Sequence, residues 1–296
     1  MTLSALALAL LLSQAPGYTD LIHISDSHVA QLDGVHPAIA KARDLHRASL
    51  GKLNAFVEAA NRMPALTLVH TGDIVDATCF DAASGKAVEG QISAVRAAFG
   101  RLRHPYHLAL GNHDVECYRF DPAKPATPAG DQSVASRVRR QWRGAFPVLH
   151  KRTYYSAALA PGYRLIVLDN GHSLEARGGR VFFEKQMKWL GRELRRKPNE
   201  RVIIALHIPV ADDERSQLLR SRLQKAPRVV MILCGHRHTN AVDWLTLDGG
   251  RKVLQVRTGA LFVSAGMWRR IRLYANRAEV FAPGNSEQKM ETVRFE

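Results

Sequence analysis

Leu66-Thr67-Leu68-Val69-His70-Thr71-Gly72-Asp73-Ile74-Val75-Asp76 decides how the rest of the chain is read. Leu66 to His70 is a short, branched and apolar run of the kind that forms a buried strand. It ends at a glycine, and two carboxylates follow, three residues apart. The same grammar recurs along the chain. Leu21 to Ser25 leads to Asp26-Ser27-His28, Tyr106 to Leu110 to Gly111-Asn112-His113-Asp114, and Val229 to Leu233 to Gly235-His236-Arg237-His238. A further apolar run, Arg201 to Leu206, ends at His207. Strands of a layered α/β domain deliver their loops to one edge, so residues far apart in sequence can converge there on one ligand.

The side chains collected this way are carboxylates, an amide oxygen and imidazoles, with no thiolate. That set suits hard or borderline ions such as Mn, Fe or Zn. Two such ions about 3.5–4 Å apart can hold a hydroxide and both faces of a phosphate. In an extended segment residues i and i+2 point the same way, which predicts that Asp26 and His28 grip one ion and pairs His236 with His238. Gly72, Gly111 and Gly235 are expected to let the chain turn sharply at strand ends. The two oxygens of Asp73 allow it to bridge a pair of metals, and the neutral oxygen of Asn112 limits the negative charge facing a phosphate. Taken singly, each motif is most often an ordinary loop or turn. Their common placement after apolar runs, in this order, is what carries the inference.

The set Asp26-x-His28, Gly72-Asp73-x-x-Asp76, Gly111-Asn112-His113-Asp114, His207 and Gly235-His236-x-His238 resembles the calcineurin-like metallophosphoesterase superfamily, over about residues 20 to 260. Within it the chain is most similar to the bacterial class III phosphodiesterases. It departs from the purple acid phosphatases, which place a tyrosine where Asp76 stands. The resemblance implies that Asp26, His28, Asp73 and His238 hold a first metal and that Asp73, Asn112, His207 and His236 hold a second. It further implies that a hydroxide bridging the metals is the nucleophile and that His113 binds the substrate and protonates the leaving oxygen. Asp76 would be the acid that orients His113.

The chain has 296 residues, enough for one large domain with a full core. Its net charge of +15 is unusual, with basic clusters at Arg137 to Arg143, Arg192 to Arg201 and Arg269 to Arg272. Each cluster alone reads as a solvated face; together they would attract anionic substrates and leave nucleic acid as a less favoured partner. Thr2 to Leu12 is apolar but too short to span a bilayer. With Ser13-Gln14-Ala15 after it, residues 1–15 read as a secretory signal and 16–296 as the mature domain, in the periplasm or outside the cell. The absence of Lys or Arg before Lys41, and Pro16, leave a cytoplasmic chain with an apolar N-terminal segment as the alternative. Cys234 is expected to be a buried core residue, while Cys79 and Cys117, in loops sharing one edge, either pair in an oxidising compartment or remain free thiols.

The remaining pattern predicts helices over 39–62, 91–102, 183–196 and 213–225, with Ser133 capping a basic helix that runs to Trp142. Tyr154 to Ser156 and Leu165 to Leu168 read as a hairpin entering a second sheet. Residues 117–132 read as an irregular lobe, and residues 240–281 as strands and turns. The expected fold is a four-layer α-β-β-α sandwich of two mixed sheets. The expected function is hydrolysis of a small-molecule phosphoester, foremost a diester, by two metal ions. A metal-dependent nuclease, a phosphomonoesterase or a pyrophosphatase acting on nucleoside diphosphate derivatives are alternatives, and a non-catalytic scaffold is the weakest reading.

Overall fold

The computed structural model describes residues 17–35, 37–64, 66–78, 90–119, 129–149, 151–211 and 213–295. The segment read as a secretory signal and Cys79 lie outside them. The strands are β1 (Tyr18–Ile24), β2 (Leu66–Thr71), β3 (Tyr106–Ala109), β4 (Cys117–Arg119), β5 (Ala129–Asp131), β6 (Tyr155–Ala160) and β7 (Tyr163–Val167). They continue with β8 (Arg201–Ala205), β9 (Val229–Cys234), β10 (Ala241–Thr246), β11 (Lys252–Arg257), β12 (Trp268–Tyr274), β13 (Arg277–Pro283) and β14 (Lys289–Arg294). The helices are α1 (Pro37–Ala42), α2 (Ser49–Ala60), α3 (Gly90–Phe99), α4 (Ala135–Ala145), α5 (Gly179–Arg196) and α6 (Glu214–Gln224).

Two six-stranded sheets, ordered β14-β13-β12-β1-β2-β3 and β10-β11-β9-β8-β7-β6, form the centre of the fold. In the first, β1, β2 and β3 are parallel and β12 to β14 antiparallel. In the second, β7, β8, β9 and β11 are parallel, flanked by antiparallel β6 and β10. Alternation along each strand sends successive apolar residues to different layers. Leu21, Val69, Leu165, Ile203 and Leu233 pack between the sheets, whereas Ile22, Leu68 and Leu108 face α2, α3 and α4. Ile166, Ile204 and Ile232 face α5 and α6. Strands buried on both faces explain the continuous apolar runs of the sequence, and the four-layer α-β-β-α sandwich follows. No helix of the described residues is long and apolar enough to cross a membrane.

Three expectations about elements need correction. The helix expected over 39–62 is broken: α1 ends at Ala42, a 3-10 turn spans Asp44–His46, and α2 begins at Ser49. The break turns Arg43 and His46 inward, where polar partners outweigh helix continuity. Ser133 does not cap α4; the helix starts after Val134 without a side-chain cap, and the Ser133 N–H donates instead to Asp131 Oδ1 (2.8 Å). The irregular lobe carries a short antiparallel pair, β4 with β5.

The basic clusters are not purely solvated faces either. Arg139 is buried and forms a two-pronged pair with Asp169 (2.7 and 2.9 Å), and Arg269 is buried and donates to Phe281 O (2.6 Å). Arg270 and Arg272 pair with Glu287 and Asp20. Cys117 is disulfide-bonded, and Cys234 is free and buried as expected.

Leu233 is fully buried between the sheets. Leu233→Ala should lower unfolding free energy by about 2–5 kcal/mol, as measured by chemical denaturation. Trp244→Ala, at an exposed position, should change it by less than about 1 kcal/mol.

Candidate metal centre

Five parallel strands end at one edge of the sandwich, and the loops that leave them are tied together by backbone hydrogen bonds. Asp26 N–H donates to Gly72 O (3.0 Å), His28 N–H to Asp73 O (2.9 Å), and Gly235 N–H to His207 O (3.0 Å). The backbone just beyond the strands is not extended. Among the described residues five non-glycines have left-handed backbone: Asp26 (φ 53°), His28 (φ 42°), Asp73 (φ 50°), His236 (φ 70°) and His238 (φ 55°). Every one is a candidate ligand. Strain of about 1–3 kcal/mol per such residue persists only where the surroundings over-determine it, and it gathers at functional sites.

This changes the geometric reading of the motifs. Asp26 and His28 do come together, but through left-handed turns rather than the alternation of an extended segment. His236 and His238 part company. One cluster is Asp26, His28, Asp73 and His238; another is Asp73, His207 and His236; ligand-type atoms within each lie within 4.8 Å of one another. Asp73 belongs to both. The glycines also divide. Gly72 has the positive φ (94°) that a turn requires. Gly111 and Gly235 are glycines because the chain passes too close: a Cβ on Gly111 would sit 2.4 Å from Asp73 N, and one on Gly235 2.3 Å from Asp26 Oδ2.

The atoms of these clusters fit cations. His207 donates Nδ1–H to Thr71 O (2.8 Å), so its Nε2 faces Asp73 Oδ2 at 3.1 Å and His236 Nδ1 at 3.2 Å. In the neutral ring of His207 that sets the Nε2 lone pair against a carboxylate oxygen, an arrangement stabilised by a positive charge between them. Similarly, His28 Nε2 lies 3.1 Å from His238 Nε2 and 3.5 Å from Asp73 Oδ2, and His238 Nε2 lies 3.3 Å from Asp26 Oδ1. Burial opposes charge on both histidines, yet the carboxylates around them lift His28 to about 10 and His207 to about 9. Burial likewise opposes ionisation of Asp73, but the imidazoles, led by His207, hold it below the usual carboxylate range. The oxygen of Asn112 is buried and makes no hydrogen bond, as a metal-facing amide would. The next residue's N–H, that of His113, donates to Asp73 Oδ1 (2.9 Å).

The expected link between Asp76 and His113 has a different form. His113 Nδ1–H donates to the backbone carbonyl of Asp76 (2.6 Å), while the Asp76 carboxylate lies 3.6 Å away and is clamped by Arg43. His113 is therefore oriented by a carbonyl, with Glu116 Oε1 the nearer carboxylate at 3.2 Å from Nδ1. Burial also lowers its pKa, so the charged form is less favoured than in a free imidazole. Asp114, quoted in the motif without a role, accepts from the N–H groups of Ile74, Val75 and Gly111, stitching the β2 and β3 loops together.

Two contributors escaped sequence reasoning. Asn170 accepts from His207 N–H (2.9 Å) and Ile208 N–H (3.0 Å), fixing the loop after β8. Its signal was present, since Leu165 to Leu168 is another apolar run ending in Asp169-Asn170-Gly171. The Phe262 ring makes T-shaped contacts with His28 and His238 (centroids 5.2 and 5.1 Å apart), and nothing in its local sequence marks it.

A two-sheet sandwich with aspartates and histidines from five strand ends at one edge defines a recognisable class. The family model described as calcineurin-like phosphoesterase matches residues 19–240, and the chain belongs to that family. Among solved structures, a dimetal phosphatase from Danio rerio aligns at 18% identity and TM-score 0.63, covering 94% of this chain and 99% of that one. A predicted phosphoesterase from Streptococcus pneumoniae (13% identity, TM-score 0.35) covers 95% of this chain and 99% of its own. A phosphopantetheinyl hydrolase from Mycobacterium tuberculosis (13% identity, TM-score 0.40) covers 83% and 92% respectively. No curated protein sequence matches the chain.

The tight passage at Gly111 can be tested directly. Gly111→Ala must displace Asp73, so bound metal should fall even if the fold survives. The check is metal content by atomic emission alongside thermal unfolding, with a stability loss of about 1–3 kcal/mol expected.

Proposed function

We propose that the chain is a phosphoester hydrolase working with two divalent ions, and that its preferred substrates are small-molecule diesters. The observation carrying this reading is the sharing of buried Asp73 by two clusters of ligand-type atoms. Asp26, His28, Asp73 and His238 would hold one ion; Asp73, Asn112, His207 and His236 the other. Mn, Fe and Zn all suit this oxygen and nitrogen set. Bound there, two cations supply Lewis acidity, acidifying water and neutralising charge that develops on phosphate oxygens.

The chain's own residues supply the rest. His113 donates its Nδ1–H to the Asp76 carbonyl and so leaves Nε2 facing the substrate. Burial lowers its pKa, which makes the protonated ring a stronger acid toward a departing alkoxide. Preference for a diester rests on the resemblance of the motif set to the bacterial class III phosphodiesterases. Hydrolysis of bis(p-nitrophenyl) phosphate against p-nitrophenyl phosphate, with each metal in turn, tests this reading. Faster turnover of the monoester would reverse it.

Asp73→Asn removes the shared charge and should cut both metal content and turnover, by more than the ~10–100-fold typical of losing a supporting partner. Two metals and normal turnover in that variant would overturn the assignment.

His113→Ala should keep its metals and lose about 10²–10⁴-fold in turnover on alkyl esters, which need a protonated leaving group. The loss should be smaller on nitrophenyl esters. An equal loss on both would make His113 a phosphate-positioning group instead.

A further inference from the structure

Behind the first cluster lies a second polar assembly that the reaction outlined above does not use. Asp76 is fully buried, and its carboxylate receives two donors from Arg43: Nε to Oδ2 at 2.7 Å and Nη2 to Oδ1. The same Nη2 reaches His46 Nε2 (3.0 Å). His46 in turn stacks on His28, ring centroids 4.7 Å apart and planes within 15°. His28 Nδ1 is buried and makes no hydrogen bond; Asp76 Oδ1 stands 3.4 Å from it. His28, His46 and Asp76 by themselves have metal-binding spacing. With Arg43 bonded to two of the three, a guanidinium already occupies the cation's place.

Local structure explains how the assembly forms. Arg43 precedes a 3-10 turn and His46 closes it, and residues three apart in such a turn lie on one face. Ser49, in the first turn of α2, donates to His46 O (2.5 Å) and accepts from Ala30 N–H (3.2 Å), two residues past His28. Arg43 also lies over the Tyr118 ring (5.2 Å). The turn is thus fastened to the very loop that carries His28.

We infer that Arg43 and Asp76 are positioning residues for His28. The guanidinium fixes the carboxylate, the carboxylate faces Nδ1–H, and this tautomer aims the Nε2 lone pair at the ion shared with Asp26, Asp73 and His238. His46 holds the ring plane from behind. A carboxylate that orients a ligating histidine raises its basicity, and losing such a partner costs about 10–100-fold in metal affinity. The inference rests on the two-metal reading proposed above, and it moves Asp76 from His113 to His28.

The test is calorimetric titration of the full-length chain with Mn²⁺, Fe²⁺ or Zn²⁺, each alone and without substrate. The wild type should show two binding events. Asp76→Asn and Arg43→Ala should weaken one of them by about 10–100-fold and leave the other unchanged, and Arg43→Lys should recover part of the loss. Because either single removal leaves a buried charge without its partner, the double variant Arg43→Met/Asp76→Asn is included. It buries no unpaired charge, should fold as judged by thermal unfolding, and should still lose the same binding event. Two wild-type-like events in the folded double variant, or equal weakening of both, would overturn the inference. A wild-type chain that takes up none of Mn²⁺, Fe²⁺ and Zn²⁺ in the same titration would instead overturn the two-metal reading, and this inference with it.

Discussion

Asp26, Asp73 and Asp76 are each at most 1% exposed, and all three lie at the same edge of the sandwich. Carboxylates withdrawn from water are tolerated only when paired and hydrogen-bonded, since an uncompensated buried charge is strongly destabilising. The surrounding structure can be understood as the means of meeting that demand. Backbone N–H groups of His236 and His113 point at Asp26 and Asp73. Arg43 closes on Asp76. The remaining negative field is met by imidazoles whose pKa values it raises, and a pocket able to raise two buried histidines to about 9 and 10 attracts divalent cations for the same reason.

Holding these groups costs backbone strain, and the sandwich supports it. The left-handed residues follow β1, β2 and β9, strands with apolar side chains packed on both sides. Rigid strands fix where each loop begins, and the bonds from Asp26 to Gly72 and from His28 to Asp73 fix how it continues. Close passage at Gly111 and Gly235 brings Asp73 and Asp26 within reach of the other loops. Polar stitching by Asp114 and Asn170 completes the support. These bonds and close passages hold the geometry at the edge, the preorganisation a metal site requires.

The architecture was legible in the sequence because strands buried on both faces leave continuous apolar runs, and because each run stops at a chemically distinctive motif. The convergence of Asp26, His28, Asp73, His207, His236 and His238 was legible for the same reason. What failed were inferences about backbone detail. Pairing by extended alternation did not anticipate left-handed turns, which leave no mark in composition beyond the tolerance of Asp and His for them. The unbroken helix over 39–62 failed because the forces that break it, at Arg43 and His46, come from Asp76, which is distant in sequence. The Asp76 carboxylate was assigned to His113 by resemblance, while in the structure the backbone of Asp76 serves His113 and its side chain faces Arg43 and His28. Arg139 and Arg269 read as surface charge because a guanidinium's partner, whether Asp169 or Phe281 O, is a tertiary fact.

The family match ends at residue 240, but the site does not. Leu261 N–H donates to Ser25 O and Phe262 N–H to Asp26 O, so the segment before β12 is bonded to the loop that carries the first candidate ligand. Thr258 reaches His23, and the Phe262 ring walls off His28 and His238. β12 then lies directly against β1. A chain ending where the shared signature ends would retain every aspartate and histidine of both clusters, yet it would lose the neighbour of its central strand and one wall of the pocket. What is inherited as a signature and what must be present for the chemistry to be enclosed are two different lengths of polypeptide.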